Sequence, residues 1–396
     1  MNRFLERANE LNDELVINRR FCHQHAGIGF EIDTVVEYVE EQLKSYGYQP
    51  EKIGLNGLTC TAGDANKGPV MLLRADMDAL PMEEKSGLPF ASLIKGHAHC
   101  CGHDLHTSML LAAARMLKEY EDELQGAVKF MFQPAEEIGE GARDMVENGL
   151  LEKPKPDAVL ALHVNAKAPL KHLNFGSGTM FASNNNFVIT VKGQSSHAAR
   201  PHEGKDPIMA GVQLYQALEI FKAHEVNASE TVILSITGFE SGTAFNVLPE
   251  TAVLKGTLRT YDEANRMRAI ERIRDIAQGI ASLYQVEIEV EMNKGISTLY
   301  CSPTYTQELL GYASEIIEQI ATEPVIKMGS EDFAEVTKFY PETSAYLSIG
   351  AGIDETTPYP VGQHNPEVIF NEAVLPVGAA LTATCAVKWL ENQNKP

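Results

Sequence analysis

PVMLLRAD, residues 69–76, is a near-continuous apolar run that ends in charge. A strand with one wet face would alternate apolar and polar side chains. An unbroken run instead predicts a central strand covered on both faces. Working outward, helical spacing of apolar residues appears in Asn2–Arg20 and Asp33–Tyr46, and Gly47 stops the second. Downstream, the pattern predicts a helix over Leu105–Tyr120, a strand over Ala127–Gln133, a helix over Gly141–Asn148 and a strand over Ala158–His163. Such alternation predicts an α/β fold, a mostly parallel mixed sheet flanked by helices.

The pattern changes after about Ala182. Strands are predicted over Phe187–Lys192, Thr231–Thr237, Ala252–Arg259 and Val286–Met292, with helices over Pro207–Ala223 and Glu263–Leu283. That β-α-β-β-α-β order predicts a ferredoxin-like α+β unit. The α/β pattern resumes with a helix from Thr304, a strand over Ala345–Ile349 and a last helix. The expected organisation is one α/β domain, residues 1–181 and 294–396, interrupted by a smaller one, residues 182–293.

A chain of 396 residues exceeds what one hydrophobic core usually supports, in keeping with two domains. Its net charge of −21 repels nucleic acid and anionic membrane, and no basic run offsets it. Residues Met1–Val16 have no apolar segment of the kind a signal peptide needs. The apolar stretch Ala373–Leu390 carries Pro376, Gly378 and polar positions, so a buried helix is expected rather than a membrane span. Six cysteines in so long a chain do not form a disulfide framework. Cys22, Cys60, Cys301 and Cys385 are expected to be ordinary core residues, and a reducing, cytoplasmic location is expected.

Four clusters carry chemistry, each taken to follow an apolar strand, where open α/β sheets place their ligand crevice. In Arg74–Pro81, Asp76 and Asp78 alternate and are expected to point the same way; either alone could be a solvated strand end. In His97–Thr107, four histidines and two cysteines fall within ten residues, a density that core packing rarely produces. Cys101 and His103, two apart in an extended segment, could face one ion, and Asp104 suits an N-cap. In Gln133–Glu137, Pro134 ends the strand. Two adjacent glutamates cannot both point at one spot, so one is free to bind metal while the other reaches an attacking water. His163 ends the fourth cluster, and His364, before Asn365-Pro366, is a further candidate. Cys101, His103, Glu137, His163 and His364 would suffice for two ions if one group bridges.

The ordered set LRADMDALP, HCCGHDLHT, QPAEE, LHV, SSHAARPH, NVLP, GTLRT, MGSEDF and HNP spans nearly the whole chain. It resembles the zinc aminoacylase and metallo-carboxypeptidase family, in its amidohydrolase branch of hippurate hydrolases, indole-acetyl-amino-acid hydrolases and N-acetyl-diaminopimelate deacetylases. The resemblance implies two divalent ions, zinc by default with manganese, cobalt or nickel as alternatives, on Cys101, His103, Glu137, His163 and His364. It implies Glu136 as general acid/base and the inserted unit as a lid that also dimerises. His197 would help stabilise the oxyanion, and Asn246 and Arg259 would contact the substrate, Arg259 through its carboxylate. The implied reaction cleaves an N-acyl amino acid into a carboxylic acid and a free amino acid.

The chain departs from the family pattern in three places. His25-Ala26-Gly27 stands where His-Pro-Glu is usual, Cys100 where alanine is, and Asn185/Asn186 where an aspartate is common. None removes a ligand or the base, and the first bears on substrate preference. A dipeptidase or carboxypeptidase with the same centre is the rival reading, which the Cys101-Gly102-His103 pattern disfavours. An inert metal-binding relative and a redox protein using Cys100 and Cys101 are weaker ones.

Overall fold

The computed structural model describes residues 2–393, and the chain divides into two compact units. The first comprises Met1–Met180, Tyr300–Ile326 and Asp332–Pro396; the second comprises Phe181–Leu299 and Lys327–Glu331. The short Lys327–Glu331 segment joins the second because Lys327 and Gly329 accept the Ala182 N–H at 3.2 and 3.0 Å.

The first unit is built on a seven-stranded mixed sheet. Its order is Glu51–Ile53, Gly57–Gly63, Ala127–Gln133, Val70–Asp76, Ala158–Asn165, Ser344–Gly350, Leu173–Phe175. The four middle strands are parallel and the flanking ones antiparallel. Every residue of Val70–Asp76 is buried, as the opening run predicts for a strand covered on both faces. The helix His103–Glu119 and the last helix, Leu375–Gln393, are almost wholly buried against the sheet's core. The last helix is long and apolar enough to cross a membrane, yet 89% of its most apolar window is buried in the protein.

The second unit has a four-stranded antiparallel sheet in the order Val232–Ser241, Thr251–Thr260, Asn185–Lys192, Glu287–Met292. Helices Pro207–His224 and Glu263–Tyr284 complete a ferredoxin-like β-α-β-β-α-β unit. Ile189, Val191, Leu214, Leu218, Leu254 and Ile273 form its separate core.

Some local expectations are corrected. The predicted helix Asn2–Arg20 is two, Arg3–Glu10 and Asn12–Gln24. The His97–Thr107 cluster does not follow a strand; it is loop leading into the helix His103–Glu119. Nor is Cys101–His103 extended, because Gly102 turns the chain at φ +97° and caps that helix. Only glycine fits there, since a Cβ would lie 2.3 Å from Val164 Cγ2. Asp104 is therefore inside the first turn and not the N-cap. Its carboxylate is buried, accepting from Arg19 Nε at 2.7 Å and facing His23 Nδ1 at 2.8 Å. Arg19 is 85 residues away in sequence, so no local pattern announces that pairing.

Candidate metal centre

The carboxyl ends of the parallel strands, the start of the helix His103–Glu119 and the loop carrying His364 bring six side chains together. Cys101 Sγ lies 3.5 Å from His163 Nε2, and His364 Nε2 lies 3.5 Å from Glu137 Oε2. His103 Nε2 is 3.8 Å from Glu137 Oε1 and 3.9 Å from Glu136 Oε2. The donor atoms fall into overlapping groups: Cys101, His103 and His163; Cys101, Glu137 and His364; His103, Glu136 and Glu137; each within 4.8 Å of one another. Cys101, His103 and Glu137 each belong to two of these groups. Both glutamates approach one nitrogen, contrary to the expectation that adjacent glutamates cannot share a spot. Ala135, at φ +57°, turns the chain after Pro134 so that Glu136 and Glu137 lie on a bend and not on a strand.

The donors fit divalent ions. Among the described residues His103 Nε2 and Glu137 Oε1 are buried with no hydrogen-bond partner, as donors that could hold an ion would be. His103 Nδ1 donates to the Asp78 main-chain oxygen at 2.8 Å, and His163 Nδ1 to the Val164 oxygen at 2.6 Å. Each bond fixes the tautomer with the lone pair on Nε2, the form a metal takes. Thiolate, imidazole and carboxylate donors together suit zinc and its neighbours.

Asp76 and Asp78 are fully buried, so neither is a solvated strand end; both carboxylates approach the His103 ring, at 3.5 and 3.6 Å, while their closest partners differ. Asp78 Oδ1 accepts the Glu136 N–H at 2.9 Å and Oδ2 the Glu137 N–H at 3.1 Å, a clamp on both glutamates. Asp76 Oδ2 accepts from Arg74 Nη1 at 2.6 Å, while Oδ1 lies 2.6 Å from His106 Nδ1. Arg74 Nε donates to Gln133 Oε1, whose amide donates to Asp332 at 2.6 Å. A carboxylate closing a wholly apolar strand must find such partners, and that is the signal by which sequence could have marked both residues as structural to the site.

Electrostatics follow from this burial. Burial, resisted by His103 and reinforced by Asp78 and Asp76, pushes the Glu137 carboxyl up to about 7. For His103 burial works downward, yet Asp76 and Cys101 carry the imidazole well above its ordinary value. Burial raises the Cys101 thiol. Burial would raise Asp76 as well, but Arg74, His103 and His106 hold it well below the usual carboxylate range. An electron-rich, desolvated pocket of this kind is stabilised by cations.

The remaining histidines of the cluster do other work. His97 Nδ1 bonds the Ala26 carbonyl at 3.0 Å, and His99 is buried with neither ring nitrogen bonded among the described residues. Cys100 packs in the core and its thiol joins none of the donor groups; its main-chain oxygen accepts the His364 N–H at 2.9 Å. Gly27, in the departing His25-Ala26-Gly27 segment, accepts the Ala79 N–H at 2.7 Å beside the Asp78 loop. A Cβ on it would lie 2.4 Å from the Glu31 carbonyl, so the local backbone is shaped for glycine.

Three candidates lie in the second unit. His197, exposed, sits on the two-residue strand Ser196–His197 paired with Val247–Leu248. Asn246, also exposed, accepts the Ala198 N–H at 3.0 Å, which keeps it beside His197. Arg259, half-buried on Thr251–Thr260, donates from Nη1 to the Met328 carbonyl at 3.1 Å.

The model of the peptidase family M20/M25/M40 matches residues 72–388. The chain belongs to that family. Among its M20 relatives is the N-acetyl-L-cysteine deacetylase of Bacillus subtilis (strain 168), 34% identical over 92% of this chain and 85% of the relative. Thermostable carboxypeptidase 1 of Saccharolobus solfataricus is 33% identical over 96% of this chain and 97% of its own length. Among solved structures, a dinuclear metal binding M20 peptidase, the YXEP protein of Bacillus subtilis, superposes with a TM-score of 0.80 at 29% identity, covering 97% of this chain and 99% of that one.

Proposed function

We propose that this M20 protein hydrolyses the amide bond of small N-acylated amino acids, releasing a carboxylic acid and a free amino acid. The protein is a metal-dependent hydrolase of amide bonds, as its family and its donor cluster together indicate. The observation that carries the finer reading is that the Glu136 carboxylate lies 3.9 Å from His103 Nε2, beside overlapping donor groups each of which could hold an ion. In this reading Cys101, His103 and His163 would hold one ion and Glu137 and His364 the other, with Cys101 grouped with both sets of donors. When bound, the ions supply a water of lowered pKa and polarise the scissile carbonyl.

Glu136 takes the proton of the attacking water and returns it to the nitrogen of the leaving amine. Asp78 holds Glu136 in place through the Glu136 N–H, so the carboxylate is positioned before substrate arrives. From the second unit we assign His197 to the developing oxyanion, and Asn246 and Arg259 to the substrate, Arg259 to its carboxylate. Support for the Arg259 role is that its guanidinium spends one N–H on Met328, with no other protein bond among the described residues.

A carboxypeptidase acting on free peptides is the second reading, favoured by the relative from Saccharolobus solfataricus. Amino-acid release from N-acetyl, N-benzoyl and indole-acetyl amino acids and from dipeptides, with chelated enzyme beside Zn²⁺, Mn²⁺ or Co²⁺ samples, separates the two. Metal-dependent release from the N-acyl compounds supports the proposal and identifies acyl group and metal together. Cleavage of dipeptides alone refutes it. We further propose a homodimer through the second unit, where Ile208, Met209, Val212 and Tyr215 are exposed along one helix; light scattering tests this. A cytoplasmic location is proposed on the ground that all six cysteines are free.

A further inference from the structure

We infer that His106 is a positioning residue of the metal centre: oriented by Asp76, its imidazole grips the Val164 main chain and thereby sets the neighbouring His163. The inference rests on the reading of Cys101, His103 and His163 as the ligands of one ion.

By composition alone His106 looks like a ligand. Its nitrogens, with those of His103 and the Asp76 carboxylate, lie within 4.8 Å of one another. Hydrogen bonding argues otherwise. The Val164 N–H points at His106 Nε2 from 2.8 Å. A peptide N–H can only donate, so Nε2 holds the lone pair and the ring proton is on Nδ1. That proton faces Asp76 Oδ1 at 2.6 Å. Both nitrogens are thus committed, and neither is left for an ion.

The bond matters because of where Val164 is. Its carbonyl accepts from His163 Nδ1 at 2.6 Å and from Gln363 Nε2 at 2.7 Å. Its side chain fills the space beside Gly102, between Cys101 and His103. Register between Ala158–Asn165 and Val70–Asp76 ends at Ala161–Arg74, so on that side a side chain takes the place of the ladder at Val164, while its other side stays paired with Ile349. His106 therefore fixes the N–H of the same residue whose carbonyl fixes the tautomer of His163. The rings of His106 and His163 also pack edge to face, centroids 4.3 Å apart. Asp76 is itself held by Arg74 at its carboxylate and by Thr107 Oγ1 at its carbonyl, 2.9 Å away. The chain Arg74–Asp76–His106–Val164–His163 runs from the central strand to an ion ligand without a gap.

Two measurements test this. In the full-length protein stripped of metal, ¹⁵N spectra of labelled histidines should show His106 as the neutral Nδ1–H tautomer, assigned by its disappearance in His106→Gln. The Nε2–H tautomer would overturn the inference. Zn²⁺ affinities by chelator competition should show His106→Ala weakening one of two bound ions by roughly 10–100-fold, the usual cost of losing an outer partner of a ligand. His106→Gln, whose amide oxygen can accept the Val164 N–H, should recover most of that loss. In a His163→Gln background the alanine change should add nothing further. Equal losses in both backgrounds, or wild-type binding by His106→Ala, would refute positioning through His163. Should the wild type itself take up fewer than two zinc ions, the ligand reading fails, and the tautomer measurement still decides what His106 does.

Discussion

Replacing Asp78 by asparagine changes one atom type in a buried clamp, and its effect follows from the geometry. The two carboxylate oxygens accept the Glu136 and Glu137 N–H groups at 2.9 and 3.1 Å, and the residue is completely buried. Asparagine offers one oxygen, so its NH₂ must oppose the other N–H. One charge-assisted bond is lost, about 1.5–3 kcal/mol, and a buried N–H is left facing a donor, a cost of similar size that overlaps with the first. About 3 kcal/mol is a reasonable net figure. Expressed wholly in the placement of Glu136, that is about 100-fold in rate at 1.36 kcal/mol per decade. The His103 anchor is the Asp78 main-chain oxygen, which asparagine keeps, so that ligand's tautomer survives. The assay is kcat on an N-acyl amino acid at saturating metal, with metal content measured on the same sample. We expect kcat to fall about 100-fold with metal still bound. Wild-type kcat in Asp78→Asn, or a rate that falls only as metal is lost, would refute the clamp as what positions the base.

Four further outcomes are expected. Glu136→Ala should keep its metal while kcat drops by roughly 10²–10⁴, the usual range for a general base; turnover near wild type would remove Glu136 from the mechanism. Chelation should abolish turnover and lower the melting temperature, both restored by divalent ions, since a ligand at 1,000 times its Kd stabilises by about 4 kcal/mol; unchanged melting would argue against ions in the folded site. Burial raises the Glu84 carboxyl, but hydrogen bonds from His23, Ser86 and the Ser92 N–H outweigh it and bring it down to about 2. A depressed carboxyl contributes stability that is present above about pH 4.5 and lost on the way to pH 2. In urea titrations of metal-free protein, the deficit of Glu84→Gln should therefore shrink as pH falls through that window, and a constant deficit would contradict it. Gly27→Glu, toward the residue common in relatives of similar motif, should destabilise by about 1–3 kcal/mol, because its Cβ would meet the Glu31 carbonyl at 2.4 Å; an unchanged urea midpoint would show that the backbone yields freely.

How far the sequence could be read depended on the range of the interaction. The strand Ala127–Gln133 and the buried last helix follow from local apolar pattern, and the structure places both there. The ferredoxin-like order of the second unit was legible for the same reason: each strand and helix carries its own period. Asp104 escapes a local reading because an aspartate at a helix start usually caps it, whereas here Arg19 and His23, more than 80 residues earlier, pair with its buried carboxylate. The partners of Asp76 and Asp78 are not legible in the sequence, since Glu136 and Glu137 reach Asp78 only through the parallel pairing of two strands and His106 reaches Asp76 from a helix 30 residues on. The single break of Asn2–Arg20 into two helices at Leu11 has no strong breaker residue to announce it.

The candidate centre explains why charge is concentrated in a fold otherwise built on apolar strands. The two histidines best buried among the donors, His103 and His163, are each oriented by a main-chain carbonyl and not by a side chain. A carbonyl cannot be removed by substitution, so these tautomers depend on the backbone path of residues 78 and 164. Side chains act one step further out: Asp78 on two glutamate N–H groups, His106 on the Val164 N–H. Substitutions in that outer layer should therefore alter ligand angles and base placement by degrees, while the donor set stays complete. A variant of Asp78 or His106 that binds metal yet turns over slowly is the behaviour this arrangement requires; a variant that loses both ions outright would mean the main-chain path itself depends on those side chains.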